Sequence, residues 1–335
     1  MSQTNIRRTL SVLFILVVLV LGLVPPIQSN AADKTGGNGL RVSPVRTDLT
    51  VYPGKTEKVT INVTNVTNVP AVLQTIINDF VANPNESGEP AIIFDTKQFA
   101  PNHSLKRFAS TSGNFSLGAG ESKNVVININ IPANAAGGGY YGAVRFAPAA
   151  NENAANENVA LAGSVGSLIL VKVPGDVNEK LSIASFDARV NDRPSTFFLN
   201  NNDIDAVVRF QNEGNIQEQP FGKILLKNRS GKILATYEVN NTNPPGNVLP
   251  DSIRKFTIPL KDKVGSFGQF KLESNYGYGS GGQLLSASTT FYVIPLWLII
   301  AFIAVVGLIV FIVFGVPRLI KAYNRRVLRK AGRRQ

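Results

Sequence analysis

Short apolar alternations, separated by glycine, proline, asparagine and aspartate, run through the chain from about residue 40 to residue 293. The clearest examples are Thr56–Val63 and Lys123–Ile131, where apolar side chains occupy every second position. This alternation is typical of strands that pack one face on a core. No stretch of this region sustains a helical period, so the pattern predicts an all-β ectodomain with a β-sandwich architecture.

Two series of predicted strands follow one another, with Pro174-Gly175-Asp176 between them. Segments 59–70 and 207–220 share an alternating strand that runs into Asn-x-x-Asn and then proline. We therefore predict two related sandwiches at 40–174 and 175–291; a chance echo between asparagine-rich strands is the alternative. The predicted strands are 41–51, 56–65, 70–79, 91–95, 105–109, 122–131, 140–147 and 165–173, then 181–187, 196–199, 204–212, 221–227, 232–240, 252–259, 267–275 and 284–293.

The first sandwich opens with LRVSPVRTDLTVYPGKTEKVTINVTN, residues 40–65, in which strand-like runs flank Pro53-Gly54. We interpret it as an opening hairpin with that pair in the turn. Two of its asparagines belong to Asn-x-Ser/Thr triplets, which are glycan acceptors in eukaryotic secretory proteins. We interpret these triplets as strand-face polarity rather than acceptors. The triplets begin at Asn62, Asn65, Asn85, Asn102, Asn114, Asn228 and Asn240.

The N-terminal end predicts an export signal over residues 1–31. Arg7 and Arg8 precede an apolar run at 10–24, which Pro25-Pro26 stops before small residues near Ala31. The run is short for a spanning helix, which needs about 20 residues. An uncleaved N-terminal anchor is the alternative.

The C-terminal end predicts a transmembrane helix at 295–316. These residues are uncharged and give about 33 Å of helix, enough to cross a bilayer core of about 30 Å. Trp297 lies at the outer end, where an indole meets lipid headgroups. A basic tail at 317–335 follows, and such tails stay in the cytoplasm. The sequence thus predicts a single-pass cell-membrane protein with its ectodomain outside; the topology residues are Trp297, Arg318, Lys321, Arg325 and Arg326.

The net charge of +12 belongs to these two ends. Ten of the 34 basic residues lie in 1–32 and 318–335 without any acid, which leaves 24 basic against 22 acidic residues elsewhere. This balance gives no electrostatic footprint for nucleic acid. The chain has no cysteine, whereas an exported eukaryotic protein of this size usually carries disulfides. We interpret it as a bacterial surface protein.

The sequence contains few residues or motifs that could form a catalytic or cofactor site. His103 is the only histidine and lies in PNHSLKR without a nucleophile motif nearby. Asp203 and Asp205 form the one nameable carboxylate pair, which we interpret as a solvated loop rather than a calcium or catalytic site. The segment 137–142, GGGYYG, matches G-x-G-x-x-G but precedes a predicted strand instead of a helix. We therefore predict no enzyme, cofactor or metal site, and a close backbone approach at these glycines.

Tyrosines beside glycine are the candidate ligand contacts, because a rigid ring gives contact area at low entropic cost. They are Tyr140 and Tyr141 after the glycine triplet, and Tyr276 and Tyr278 in SNYGYGSGG. The alternative is that these rings cover strand ends. The polar loop 147–164, with its repeated Asn-Glu-Asn, is low-complexity sequence of unassigned role.

Several segments together resemble the WxL-interacting protein family of Gram-positive surfaces. They are SPVRTDLTVYPGKTEKVTINVTN, GGGYYGAVRF, FQNEGNIQEQPFGKILLKNRSGKILATYEVNN and VLPDSIRKF, followed by the span and the basic tail. The resemblance implies two tandem immunoglobulin-like domains. It also implies peptidoglycan contact for about 40–174 and surface-protein contact for about 175–290. No motif assigns individual binding residues, and the loop 147–164 has no counterpart in the family pattern.

Two functions remain open on this evidence. The first is a non-enzymatic adhesion or wall-binding protein, anchored in the membrane, whose sandwiches bind wall glycan, surface-protein partners or both. The second is an accessory or sensor subunit of a membrane complex that acts through its span and basic tail.

Overall fold

The computed structural model describes residues 39–149 and 164–331. The predicted signal peptide and most of the loop 147–164 lie outside these residues. Within them the chain forms four β-sheets followed by one long apolar helical segment. The prediction of an all-β ectodomain with a single C-terminal helix is therefore confirmed.

The first ten strands form the first sandwich. They are β1 (Leu40–Ser43), β2 (Arg46–Thr50), β3 (Thr56–Asn65), β4 (Ala71–Ala82), β5 (Pro90–Ile92), β6 (Ala109–Thr111), β7 (Phe115–Leu117), β8 (Ser122–Asn130), β9 (Gly138–Pro148) and β10 (Val165–Val173). One sheet has the order β1-β3-β8-β6, and the other has the order β2-β10-β9-β4-β5 with β7 beside β4. The core between them contains alternate residues of β3 and β8, as their period-two pattern predicts.

The predicted opening hairpin is wrong. β1 pairs antiparallel with β3, whereas β2 pairs in parallel with β10 of the other sheet. Pro44 separates β1 from β2 and lacks an N–H for a ladder, and Ser167 and Leu168 of β10 bond the backbone at 44–45. The Pro53-Gly54 turn, in which Lys55 N–H donates to Tyr52 O (3.0 Å), therefore joins the two sheets.

The next nine strands form the second sandwich. They are β11 (Leu181–Val190), β12 (Arg193–Pro194), β13 (Phe197–Phe198), β14 (Asp205–Asn212), β15 (Phe221–Asn228), β16 (Ile233–Val239), β17 (Ser252–Pro259), β18 (Gly268–Tyr278) and β19 (Gln283–Val293). Its sheets have the orders β12-β11-β14-β17 and β13-β19-β18-β15-β16. Aromatic rings dominate the core, where Phe210 meets Tyr276 edge-on at 4.8 Å between ring centroids. The predicted boundary at 174–175 falls between β10 and β11.

One buried asparagine at the end of a strand recurs in both sandwiches. Asn65 at the end of β3 is fully buried, and its Nδ2 donates to Val69 O (2.7 Å) and Gly118 O (3.0 Å). Asn212 at the end of β14 donates in the same way to Ile216 O (2.7 Å) and Val248 O (2.9 Å). The sequence echo thus has a structural counterpart, since each asparagine ties its own loop to the loop before the neighbouring strand. Burial of Asn65 also leaves no room for a glycan there.

The tip of the β4–β5 hairpin, residues 83–89, is hydrogen-bonded to the second sandwich. The Glu86 carboxylate accepts two hydrogen bonds from the Arg209 guanidinium, with Nε at 2.7 Å, and the Glu86 carbonyl accepts from Lys255 N–H at 2.9 Å. The hydrogen bonds from Arg209 lower the pKa of Glu86. Bidentate pairs of this kind fix geometry as well as charge.

A second junction contact confirms the close approach predicted at the glycine triplet. Gly139 N–H donates to Asn215 O (2.8 Å), and Asn215 Nδ2 donates to Gly137 O (3.1 Å). Gly138 has a φ of +140°, and a Cβ there would lie 2.8 Å from Asn215 O. Asn215 is the last asparagine of the repeated Asn-x-x-Asn pattern, so in the second sandwich that pattern also builds the junction.

The C-terminal segment is a continuous helical rod whose first part is apolar. Helix α1 (Leu296–Val310) leads through a π-helical turn (Phe311–Gly315) into helix α2 (Val316–Ala331). Residues 296–325 are long and apolar enough to cross a membrane, and none of the most apolar window is buried against protein. This is a candidate membrane span, as the sequence predicts.

Candidate functional site

Two buried polar residues of β4 bond the long loop that joins β5 to β6 in the first sandwich. Asp79 and Asn78 are both fully buried. Asp79 accepts hydrogen bonds from Ala100 N–H and Lys106 N–H, each at 2.9 Å. Asn78 Nδ2 donates to Ile93 O at 2.8 Å. Because buried polar groups need partners, these bonds hold the loop 93–108 in one conformation.

Two predicted strands that overlap this loop have the wrong bounds. The sequence predicts strands at 91–95 and 105–109, but β5 ends at Ile92 and β6 begins at Ala109. The apolar residues between them serve other purposes. Leu105 is buried in the first core, whereas Phe94 and Phe99 remain 65% and 39% exposed.

Both exposed rings lie beneath cations. The Arg145 guanidinium lies 4.7 Å from the centroid of Phe94, and its Nε donates to Asn78 Oδ1 at 2.9 Å. Lys106 and Arg107 both lie 4.6 Å from the centroid of Phe99. We call Phe94, Phe99, Lys106, Arg107 and Arg145 the aromatic–cation surface. Partial burial lowers the pKa of Arg145, but a guanidinium stays charged at neutral pH.

This arrangement suits a ligand with both apolar ring faces and anionic groups. An exposed phenyl face offers contact to the C–H face of a sugar ring, with little side-chain entropy to lose. Guanidinium and ammonium groups beside it can pair with carboxylates. The loop is held by buried hydrogen bonds, so the two rings are pre-positioned rather than gathered on binding. Sequence reasoning missed these residues, although aromatic and basic residues alternate in FDTKQF and LKRF.

A cavity of about 490 Å³ lies at the junction of the two sandwiches. Phe80, Tyr141 and Leu249 form an apolar cluster beside it, contributed by both sandwiches. Three of its lining residues adopt a left-handed backbone conformation, and such strain is concentrated at functional sites. They are Glu86, His103 and Asp251, with φ of 63°, 60° and 54°.

The junction also contains a protonatable carboxyl group. Glu218 is 3% exposed, and burial, with a smaller contribution from Glu179, raises its pKa to about 7. Its Oε1 has no hydrogen-bond partner in the described part of the chain. Nearby, Glu179 joins the sandwiches by pairing with Lys172 (3.7 Å) and accepting from Ser280 N–H (2.8 Å).

The four tyrosines predicted as ligand contacts are mostly inside the protein. Tyr276 and Tyr278 are 1% and 8% exposed in the second core, and burial raises the pKa of Tyr276 to about 12. Tyr141 is 2% exposed, with its hydroxyl donating to Gln217 Oε1 (2.9 Å), and burial raises its pKa. Tyr140 is half-buried against Phe108 and donates to Ala136 O. These rings support strands and the junction, which is the alternative that the sequence left open.

The residues predicted to set the membrane topology lie along the C-terminal helices. Trp297 is the second residue of α1 and is 66% exposed. Arg318, Lys321 and Arg325 lie on α2 and are exposed, and Arg326 belongs to the same helix. The pattern of an apolar helix that runs into cations is therefore present in the structure.

The other candidate groups do not form a recognisable catalytic or metal site in the described residues. His103 Nδ1 donates to Gly139 O (2.7 Å), and the residue lines the cavity at the junction. Burial and the neighbouring Asp203 raise the pKa of Asp205. Within residues 39–149 and 164–331, no group of three or more histidine, aspartate or glutamate side chains could hold a metal ion.

Solved structures similar to this chain include several chaperones. The class 5 fimbriae chaperone CfaA is 13% identical, with 77% of this chain and 100% of that chain covered and a TM-score of 0.38. The Pseudomonas aeruginosa CupB2 chaperone is 10% identical, with coverages of 74% and 98% and a TM-score of 0.32. The E. coli chaperone DraB is 16% identical, with coverages of 76% and 96% and a TM-score of 0.33.

No curated protein matches the chain. In contrast, residues 47–148 match the family model described as WxL Interacting Protein, peptidoglycan binding domain. The matched range runs from β2 to the end of β9 and contains the whole aromatic–cation surface. The resemblance found in the sequence is thereby confirmed for residues 47–148, which are similar to the peptidoglycan binding domain of the WxL-interacting proteins.

Proposed function

We propose that this chain is a non-enzymatic, membrane-anchored cell-surface protein whose first sandwich binds peptidoglycan through the aromatic–cation surface. The match of residues 47–148 to a peptidoglycan binding domain carries the proposal. Exposed, pre-positioned aromatic rings flanked by cations within that match support the choice of surface.

The chemistry of peptidoglycan fits this surface. Its glycan strands present the C–H faces of sugar rings, and its peptide groups carry carboxylates. Phe94 and Phe99 would contact sugar faces with the ring surface that the cations leave free, while Arg145, Lys106 and Arg107 would pair with the carboxylates. The ionic part of this contact is exposed, so it should weaken as salt is added.

The remaining parts of the chain have complementary roles in this proposal. The apolar helix and its basic tail would anchor the chain with the sandwiches outside and the tail in the cytoplasm. The second sandwich would bind a surface protein. Its strand β16 lies at one end of the larger sheet, where an added strand from a partner could pair.

The first test is retention of the soluble fragment 39–294 on insoluble peptidoglycan. We expect clear co-sedimentation in low salt and a decrease in retention as the salt concentration rises. An unrelated β-sandwich protein of similar size is the control. Retention no greater than that of the control would contradict wall binding by this ectodomain.

A further inference from the structure

The second sandwich is joined to the apolar helix by a very short connection. β19 ends at Val293 and α1 begins at Leu296, so only Ile294 and Pro295 lie between them. Ile294 N–H donates to Phe198 O at 2.8 Å, which holds the connection against β13. Two residues span at most about 7 Å. If the helix spans a bilayer, this end of the sandwich must therefore meet its outer surface.

That end of the sandwich exposes large apolar side chains. Phe197, Leu199 and Phe267 are 62%, 56% and 60% exposed. Phe197 stacks on the Tyr292 ring at 5.2 Å between centroids, so its free face is directed away from the core. Exposure of three such side chains around the start of a helix is unfavourable in water but favourable where aromatic rings meet headgroups.

A groove of about 840 Å³ lies beside Phe267 and reaches Ile294, two residues before the helix begins. Phe267, Ile294 and Tyr292 line it together with Arg229. Arg229 is exposed and forms no ion pair within the part of the chain that the structure describes. A guanidinium of this kind binds phosphate well. The groove thus joins an apolar wall to an anion-binding group.

We propose that Phe197, Leu199, Phe267 and Arg229 form a lipid-docking surface, which inserts its rings among phospholipid headgroups and pairs Arg229 with a lipid phosphate. The inference rests on the proposed membrane anchoring and adds a second, reversible contact with the same bilayer. Docking would fix the ectodomain at the membrane surface rather than leave it to swing about Pro295. The occupant is a phospholipid of the outer face, because the groove ends at Ile294, directly before the residues that would enter the bilayer.

The absence of cysteine from the chain allows clean site-directed spin labelling of the full-length protein. Labels at Ser266→Cys and Gly281→Cys would be compared in nanodiscs of mixed zwitterionic and anionic phospholipid. Gly281 lies in the turn at the far end of the β18–β19 hairpin, about 35 Å from Ser266 for 11 strand residues. We expect the ratio of collisions with oxygen to collisions with a water-soluble nickel complex to be several-fold higher at 266 than at 281.

A matched pair of variants then tests the surface itself. Phe197→Ser with Phe267→Ser should lower the ratio at 266 to that at 281, whereas Phe221→Ser, another exposed phenylalanine of this sandwich, should leave it unchanged. Resistance of the chain to alkaline extraction measures anchoring independently. An anchored chain with equal ratios at 266 and 281 would overturn lipid docking while leaving the anchor intact. Protection at 266 that requires a co-purifying protein would also overturn it.

Discussion

Replacing Asp79 with alanine should lower the free energy of unfolding by about 3 kcal/mol and remove most of the retention on peptidoglycan. Asp79 is fully buried and its oxygens are bonded within the protein. Its loss leaves two N–H groups, of Ala100 and Lys106, without their acceptor. Because these bonds hold the loop 93–108, Phe99 and Lys106 would lose their fixed positions. Chemical denaturation and co-sedimentation of the fragment 39–294 measure the two effects.

Asp95→Ala is the matched control for this prediction. Asp95 lies in the same loop and accepts a hydrogen bond from Lys97 N–H (2.8 Å), but it is exposed. Its loss should cost less than about 1 kcal/mol. Equal effects of the two substitutions, or an Asp79→Ala protein that retains full binding, would show that the buried carboxylate does not organise the surface.

Replacing Asn212 with leucine should destabilise the second sandwich by about 3 kcal/mol. The amide satisfies three backbone groups: the carbonyls of Ile216 and Val248 and the N–H of Gly214. Leucine has a similar volume but leaves the Ile216 carbonyl and the Gly214 N–H without this partner in a buried site. The Val248 carbonyl keeps only its bond from Glu218 N–H. Thermal or urea unfolding of the fragment 39–294 should show the loss in the transition of the second sandwich.

The equivalent change in the first sandwich, Asn65→Leu, should have an effect of similar size, because Asn65 makes the corresponding bonds to Val69 and Gly118. Asn124→Leu serves as the control. The Asn124 side chain is exposed, and among the described residues it bonds only the Asn62 side chain. If Asn212→Leu were as mild as Asn124→Leu, the repeated asparagine would have no structural importance.

Most strands could be predicted from the sequence because the alternation that defines them is local. Successive side chains of a strand point to opposite faces of the sheet, so the alternating residues Val125, Ile127 and Ile129 all face the core. Pairing partners are not local. Whether 46–50 joins β3 or β10 depends on contacts about 120 residues away, and the opening stretch was therefore misread as a hairpin.

The candidate surface was missed for a related reason. Phe94 follows Ile92 and Ile93, so the run resembles a strand, and only the buried side chains of Asn78 and Asp79 turn it outward. The tyrosines in SNYGYGSGG show the opposite error. Their glycine neighbours suggested a loop, yet Tyr276 and Tyr278 continue the inward face of β18 that begins at Phe270.

The most direct test of the account compares the fragment 39–294 with its Phe94→Ser, Phe99→Ser variant on insoluble peptidoglycan. Loss of two stacking rings should weaken binding by at least about tenfold, since such contacts contribute about 1 kcal/mol or more each. Val126→Ser, an exposed apolar residue on the other sheet, is the control and should bind as the parent does. Unchanged binding by the double variant, with wild-type stability, would contradict the claim that the aromatic–cation surface is the wall-binding site.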